Sequence, residues 1–384
     1  MPDLLPRPLP RAAARPDPPI SVVLLHWGRT GAGPRLTYEL ARALCARDDV
    51  RVAVSHVAGT ERDADLSRLG VQRLAVATYA TAWTALLALP RLAAHVVRFR
   101  RFLRAVEADV VVSPMYSLWQ SIAIRLLLPR RVALVATVHD ATPHPGDDHP
   151  VKRWARAAEI RRADAVMTLS DAVAAALRQR RGPRRPVFVT VHGAFAGSRP
   201  AAARTAPRND PLVLGFFGRI LPYKGLDLLL DATQELRRSG VDVTTRVHGA
   251  GDVSSTGPRP GVEWHLGWVP EESTNEVVSG FDVLVLPYRE ASQSGVLAIA
   301  LAEGVPVVVT PVGALAEQVR ATGCGVIASE VSAPAIAAAV RELLDDPERY
   351  AACSRNALAA ASAGHGWERV AADYLAAIGE VVGR

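Results

Sequence analysis

Short, wholly apolar runs alternate along this chain with longer amphipathic stretches. ISVVLLH at 20–26 reads as a buried strand, followed by a glycine loop at 28–33 and a helix over 34–46. Further strand-like runs fall at 50–57, 109–113, 133–138, 165–169 and 187–191, with helical patterns between most of them. Strands buried on both faces are continuous apolar runs, and their alternation with helices predicts a mostly parallel, doubly wound α/β sheet. Residues 197–211 (GSRPAAARTAPRNDP) lose the apolar periodicity and read as an interdomain linker. A second alternation follows, with strands at 212–217, 244–248, 262–266, 283–287, 305–310 and 325–328. Helices over 333–344, 347–362 and 367–382 close the chain. The expected plan is a Pro/Arg-rich disordered tail at 1–19, an N-terminal domain at 20–196 and the linker. A C-terminal domain at 212–365 follows, then a helix at 366–384 that returns to the first domain.

The stretch FDVLVLPYREASQSGVLAIALAEGVPVVVTP at 281–311 is a strand, a polar loop, a short helix and another strand. Its loop falls at the C-terminal end of a strand, where open α/β sheets bind ligands. Gln293, Ser294 and Gly295 open the helix, so its first backbone N–H groups are approachable by an anion such as a diphosphate. A basic complement lies upstream in GFFGRILPYKGLD at 215–227. There Arg219 offers a planar fork to phosphate oxygens and Lys224 a point charge. Together they suit the neutralisation of a departing diphosphate.

Composition sharpens this only in places. The chain has 384 residues, 49% of them apolar, enough for two domains with full cores. Of 45 basic residues only Lys152 and Lys224 are lysine, so the lysine of the 215–227 loop stands out. The net charge of +7 suits an anionic partner, although an Arg-rich genome gives the same bias. No recognition-helix motif or aromatic-basic repeat appears, which argues against nucleic acid. Cys45, Cys324 and Cys353 show neither metal spacing nor a disulfide framework and read as buried, unreactive thiols of a reducing cytoplasm. The first 19 residues lack an apolar signal-peptide core, and no run of 18 apolar residues exists to span a membrane. Arg91, Arg98, Arg100, Arg101 and Arg104 crowd one segment with Phe99 and Phe102, after an Ala/Leu/Tyr/Trp-rich stretch at 78–89. Two readings stay open there: an ordinary helix pair with a solvated arginine face, or a peripheral contact with the inner face of an anionic membrane.

FFGRILPYKGLDLLLDA together with DVLVLPY…SGVLAIALAEGVPVVVTPVGALAE resembles the nucleotide-sugar half of retaining, family 4 GT-B glycosyltransferases. The glycine loop, VATVHD, ADAVMTLSDAVAAAL and the Val-His192-Gly193 segment agree in the first half, so the resemblance spans about 20–375. It implies a GT-B fold: two Rossmann-like, doubly wound parallel-sheet domains facing a cleft. It implies a metal-independent enzyme with no bound cofactor and a nucleoside-diphosphate sugar as co-substrate. Arg219 and Lys224 match the family's diphosphate pair, with Gly218 just before them, and Ser294 and Gly295 match its helix N-terminus, flanked by Gln293 and Val296. Gly31 and Gly33 match the loop approaching from the other domain, and His139 a histidine near the transferred sugar. Asp140 then orients His139 or contacts acceptor, while Glu290 stands near the donor sugar.

One position departs from the pattern. Many members carry two glutamates eight residues apart, the second holding the ribose, but alignment on Gly304-Val-Pro306 puts Ile299 there. The first falls on Ala291, with Glu290 one residue earlier, and Glu303 lies one turn past Ile299. A Gln-Ser-Gly form of this loop also resembles a subset of the family, so activity is still expected while donor identity is not fixed. Asp63-Ala-Asp65 reads as a solvated loop, and His144, Asp147, Asp148 and His149 as an acceptor-side loop, rather than as metal sites. The expected reaction is retaining transfer of a sugar to a hydroxyl-bearing acceptor: a glycan, a lipid-linked sugar or a natural product. Competing readings are a nucleotide-sugar epimerase or phosphorylase of the same architecture, and a non-catalytic sugar-nucleotide-binding partner of another transferase.

Overall fold

The computed structural model describes residues 18–29, 31–78, 89–142, 150–179, 185–253 and 259–383. In the first half the order is β1 (Ile20–His26), α1 (Ala32–Cys45), β2 (Val50–Val57), α2 (Asp63–Arg68) and β3 (Gln72–Val76). Then come α3 (Leu89–Ala105), β4 (Val110–Ser113), α4 (Leu118–Leu127), β5 (Ala133–Val138) and α5 (Pro150–Arg162). The half closes with β6 (Ala165–Thr168), α6 (Asp171–Gln179) and β7 (Val187–Val189). The second half runs β8 (Leu212–Phe217), a 3-10 turn Pro222–Lys224, α7 (Leu226–Arg238), β9 (Val243–Gly249), β10 (Val262–Leu266) and α8 (Glu271–Ser279). It continues β11 (Val283–Leu286), α9 (Gly295–Glu303), β12 (Val307–Val309), α10 (Gly313–Thr322) and β13 (Gly325–Ile327). The chain ends with α11 (Ala333–Leu344), α12 (Pro347–Ala359) and α13 (Trp367–Val382).

Two parallel sheets result, ordered β3-β2-β1-β4-β5-β6-β7 and β10-β9-β8-β11-β12-β13. In each, the order reverses between the first strand and a later neighbour, β1 beside β4 and β8 beside β11. Connections leave in opposite directions there, so a crevice opens at the strands' C-terminal ends. The apolar runs are buried as their pattern requires: Val22 to Leu25 and Val283 to Val285 are fully buried. The strand β3 is missing from the hydropathy reading because QRLAV alternates on an edge, where only Leu74 and Val76 face the core.

The 197–211 segment is not a loose tether. Arg204 is 2% exposed and donates to the carbonyls of Ser279 and Phe281, while Asp282 accepts from the backbone N–H groups of Arg208, Asn209 and Val213. The helix α13 lies on the seven-stranded sheet, where the Tyr374 hydroxyl meets Thr137 Oγ1 at 2.7 Å and Thr190 donates to Asp373. Asp63 and Asp65 open the short helix α2 and pair with Arg62, Arg68 and Arg73, so they form an arginine-tied helix start rather than a solvated loop. Cys45 is exposed, against the expectation of burial, while Cys324 and Cys353 are buried. The 1–17 tail, the 79–88 stretch and the His144, Asp147, Asp148, His149 loop lie outside the described residues.

Candidate active site

A cleft of about 1040 Å³ lies between the C-terminal ends of the two sheets. From the first sheet it receives Gly31 after β1, Met115 to Leu118 after β4, and His139 and Asp140 after β5. From the second it receives Gly218 and Arg219 after β8, Gly249 and Ala250 after β9, Gly267 to Val269 after β10, and Glu290 to Val296 after β11. Every sequence-predicted site residue except Gly33 therefore lines one space. Gly33 sits in the first turn of α1, where a Cβ would strike the His26 ring, so it makes room for that buried histidine.

The wall formed by α9 and the 3-10 turn is built locally. Ser294 caps α9 by accepting from the Leu297 N–H at 3.4 Å and also meets the Tyr288 hydroxyl at 3.3 Å. This leaves the first N–H groups of α9, at the positive end of the helix dipole, facing the cleft. Lys224 ends the 3-10 turn with Nζ 3.8 Å from the Tyr288 ring centroid and 5.1 Å from that of Tyr223. Burial works against its charge, but the two tyrosines more than offset this and its pKa lies above the ordinary lysine value, so the ammonium is charged at neutral pH. No carboxylate pairs with it among the described residues. Arg289 fixes this corner by a bidentate pair with Asp227 (2.8 and 2.6 Å) and a bond to the Pro222 carbonyl. Gly225 completes the turn at φ 66°, where a Cβ would drive into the Pro287 carbonyl.

Across the cleft, His139 is 9% exposed. Its Nε2 lies 2.8 Å from the Pro114 carbonyl, which assigns the proton to Nε2 and leaves the partnerless Nδ1 an acceptor. Burial lowers its pKa, so the ring is neutral. Gln293 Oε1 is likewise buried without a partner. Beneath this wall Gln120 accepts from the Trp27 backbone N–H at 3.0 Å and donates to Ser113, and Ser113 and Ser121 donate to Glu159. Burial raises the Glu159 carboxyl above its ordinary value while those three donors hold it down.

The remaining polar groups tie the halves together. Arg35, on α1, donates to Asn275 Oδ1 (2.9 Å), Thr274 Oγ1 (3.3 Å) and the Ala196 carbonyl (2.9 Å), with its guanidinium 4.5 Å over Phe195. Burial lowers its pKa to about 10. Arg62 Nε donates to Glu271 at 2.7 Å, and Glu61 accepts from Trp268 Nε1 and the Glu271 N–H. Nothing in the one-dimensional pattern marks the contacts of Arg35 or Arg62 with Glu271, because these form only across the interface. Ile299 forms an apolar patch of cleft wall, and Glu303 turns away to accept from Asn275 Nδ2 at 2.6 Å. No described residue group of three or more His, Cys, Asp or Glu is arranged to hold a metal.

A paired-sheet α/β fold whose cleft sets a helix N-terminus, an arginine and a half-buried lysine against a histidine-bearing wall is that of the GT-B glycosyltransferases. Residues 33–194 match the family Glycosyltransferase Family 4 and residues 211–346 match Glycosyl transferases group 1, which places the chain among the GT-B glycosyltransferases. It is 28% identical over 214 residues to the 2-deoxystreptamine glucosyltransferase of Streptomyces kanamyceticus, covering 51% of this chain and 54% of that one. It is 34% identical over 216 residues to the D-inositol 3-phosphate glycosyltransferase of Geodermatophilus obscurus, covering 51% and 47%. The chain thus spans about half the length of these relatives. Anabaena HepE, solved in complex with UDP-glucose, superposes with a TM-score of 0.69 at 18% identity over 93% of this chain and 100% of that one.

Proposed function

We propose that this protein is a retaining glycosyltransferase that moves a sugar from a nucleoside diphosphate to a hydroxyl acceptor, without a metal. One observation carries the reading: Lys224, Arg219 and the α9 N-terminus converge on one wall of the cleft, facing His139. The diphosphate lies on the α9 N–H groups, and its growing charge as the glycosidic bond breaks meets Lys224 and Arg219. Because those charges are fixed beforehand in a sheltered corner, they need no reorganisation in the transition state. His139 Nδ1 and Gln293 Oε1 accept from hydroxyls of the transferred sugar, and Gly31 lets the backbone of the first domain approach it. Glu290 borders the sugar and Asp140 the acceptor. The acceptor enters from the first-domain side and gives its proton to the leaving diphosphate oxygen on the same face, which retains anomeric configuration. Domain limits of 20–196 and 212–365, an acceptor of glycan, lipid-linked or natural-product type, and a cytoplasmic setting belong to the same reading.

The second reading rests on Ile299. With an apolar residue at the usual ribose position and Glu303 turned toward Asn275, the chain is instead a sugar-nucleotide-binding partner of another transferase. A thermal-shift and product screen over UDP-, GDP-, ADP- and TDP-sugars separates the two. A true donor at about 100 times its dissociation constant adds about 2.7 kcal/mol of stability. Stabilisation by one nucleotide with slow release of the diphosphate supports the transferase; stabilisation without release or transfer supports the binding partner. Silence across the panel refutes both.

A further inference from the structure

Several arginines of this surface are paired. Arg42, Arg62, Arg162, Arg246, Arg289 and Arg369 each hold a carboxylate. The helix α3 is different. Its 17 residues contain no acid, and Arg91, Arg98, Arg100, Arg101 and Arg104 are all exposed. None of the five makes an ion pair or hydrogen bond among the described residues. Leu92, Val96, Phe99 and Leu103 form the opposite face and are buried in the core beneath the sheet, so the arginines cannot turn inward. Unscreened like charges this close repel one another, and a protein surface normally relieves that with interspersed acids.

Two exposed aliphatic side chains accompany the stripe. Val97 lies within it at 50% exposure, and Leu126, at 66%, closes the adjoining helix α4 beside the exposed Arg125. The α4 helix begins at the cleft, which Ser117 and Leu118 line, so its 10 residues set the patch about 15 Å from the acceptor side.

We propose that the α3–α4 face docks on an anionic phospholipid surface, with the arginines on headgroup phosphates and Val97 and Leu126 in the interfacial layer. Charge complementarity and the aliphatic anchors choose this occupant over nucleic acid: Phe99 is buried and Phe102 packs on the core, so among the described residues α3 offers no fully exposed ring for bases to stack on. The cleft's acceptor wall would then stand one short helix from the bilayer. The inference does not depend on the transferase reading, since its test uses no activity.

The whole chain is sedimented with vesicles of pure phosphatidylcholine and with vesicles containing 30% phosphatidylglycerol, at low and high salt. Binding is expected only to the anionic vesicles, with release at high salt as a surface contact is screened. The triple variant R98S/R101S/R104S is expected to bind roughly 100-fold more weakly, from the contribution of each arginine near an anionic surface. A charge-matched control, R238S/R320S/R355S, removes three exposed arginines of the second half and is expected to bind as the parent does. Melting temperatures show that both triples are folded; if the first is not, single R98S, R101S and R104S variants, each expected to weaken binding several-fold, replace it. Absence of binding to anionic vesicles at low salt, equal loss in both triples, or retention by a DNA duplex but not by vesicles overturns the proposal.

Discussion

Replacing Lys224 by alanine is the sharpest test of the diphosphate corner. The Nζ of the half-buried Lys224 sits over two tyrosine faces, and no described carboxylate shares its charge. A unit charge about 4 Å from a developing negative charge contributes on the order of 4 kcal/mol at an effective dielectric near 20. Part of that is already present with the ground-state diphosphate, so the differential loss falls near ~3 kcal/mol, or about 100-fold in turnover. The fold should not suffer: Lys224→Ala removes a cation whose burial is itself costly, and the Arg289–Asp227 pair still anchors the turn. Lys224→Arg should not rescue, because a planar guanidinium is too wide for the slot between Tyr223 and Tyr288. The assay is release of nucleoside diphosphate at saturating donor, with the melting temperature measured in parallel. Turnover within a few-fold of the parent, in a variant that melts normally, would refute the assignment of Lys224 to the leaving group.

Ser294→Ala removes the α9 cap, about 1 kcal/mol, and frees the Tyr288 hydroxyl. A melting temperature lower by a few degrees and a higher donor KM are expected, and an unchanged KM would detach the cap from donor binding. Arg35→Ala strips Asn275 and Thr274 of their cross-domain donor and should split a single calorimetric transition into two; one undivided transition would show that Arg35 does not couple the halves. His26 and His192 are fully buried with pKa values lowered to about 4, burial being the main cause. Between the ordinary value near 6.5 and about 4 the unfolded chain binds more protons, so stability should fall as pH drops through that window, by ~3 kcal/mol per histidine at pH 4. Urea midpoints from pH 7 to pH 4 measure it, and a flat profile would contradict the neutral buried state.

The two α/β alternations were legible because a strand covered by helices on both faces must be apolar along its length, as 20–26 and 283–286 are. The edge strand β3 was not, because its QRLAV run is half solvated and carries too few apolar residues to register. Arg219 and Lys224 in one loop, and Ser294 and Gly295 at one helix start, stood out because each pair is local in sequence; that the two segments line one cleft came only with the fold. A glycine spared for a ligand and one spared for a neighbouring ring look alike in sequence, and the packing of Gly33 on His26 became visible only once His26 was placed.

The sequence by itself determined what depends on neighbours along the chain: strand runs, helix caps, the glycine turns and the spacing of Arg219 and Lys224 in one loop. Tertiary structure alone decided what depends on distant partners meeting. It aligned the two sheets' C-terminal ends on one cleft, assigned the His139 proton through the Pro114 carbonyl and turned Glu303 away toward Asn275. It also drew Arg35, Arg62 and Glu271 into one interdomain cluster and left the α3 arginines without partners among the described residues. Hydropathy is a sum over local positions, whereas an ion pair or a buried hydrogen bond needs two groups within a few ångströms, and only the folded chain supplies that distance.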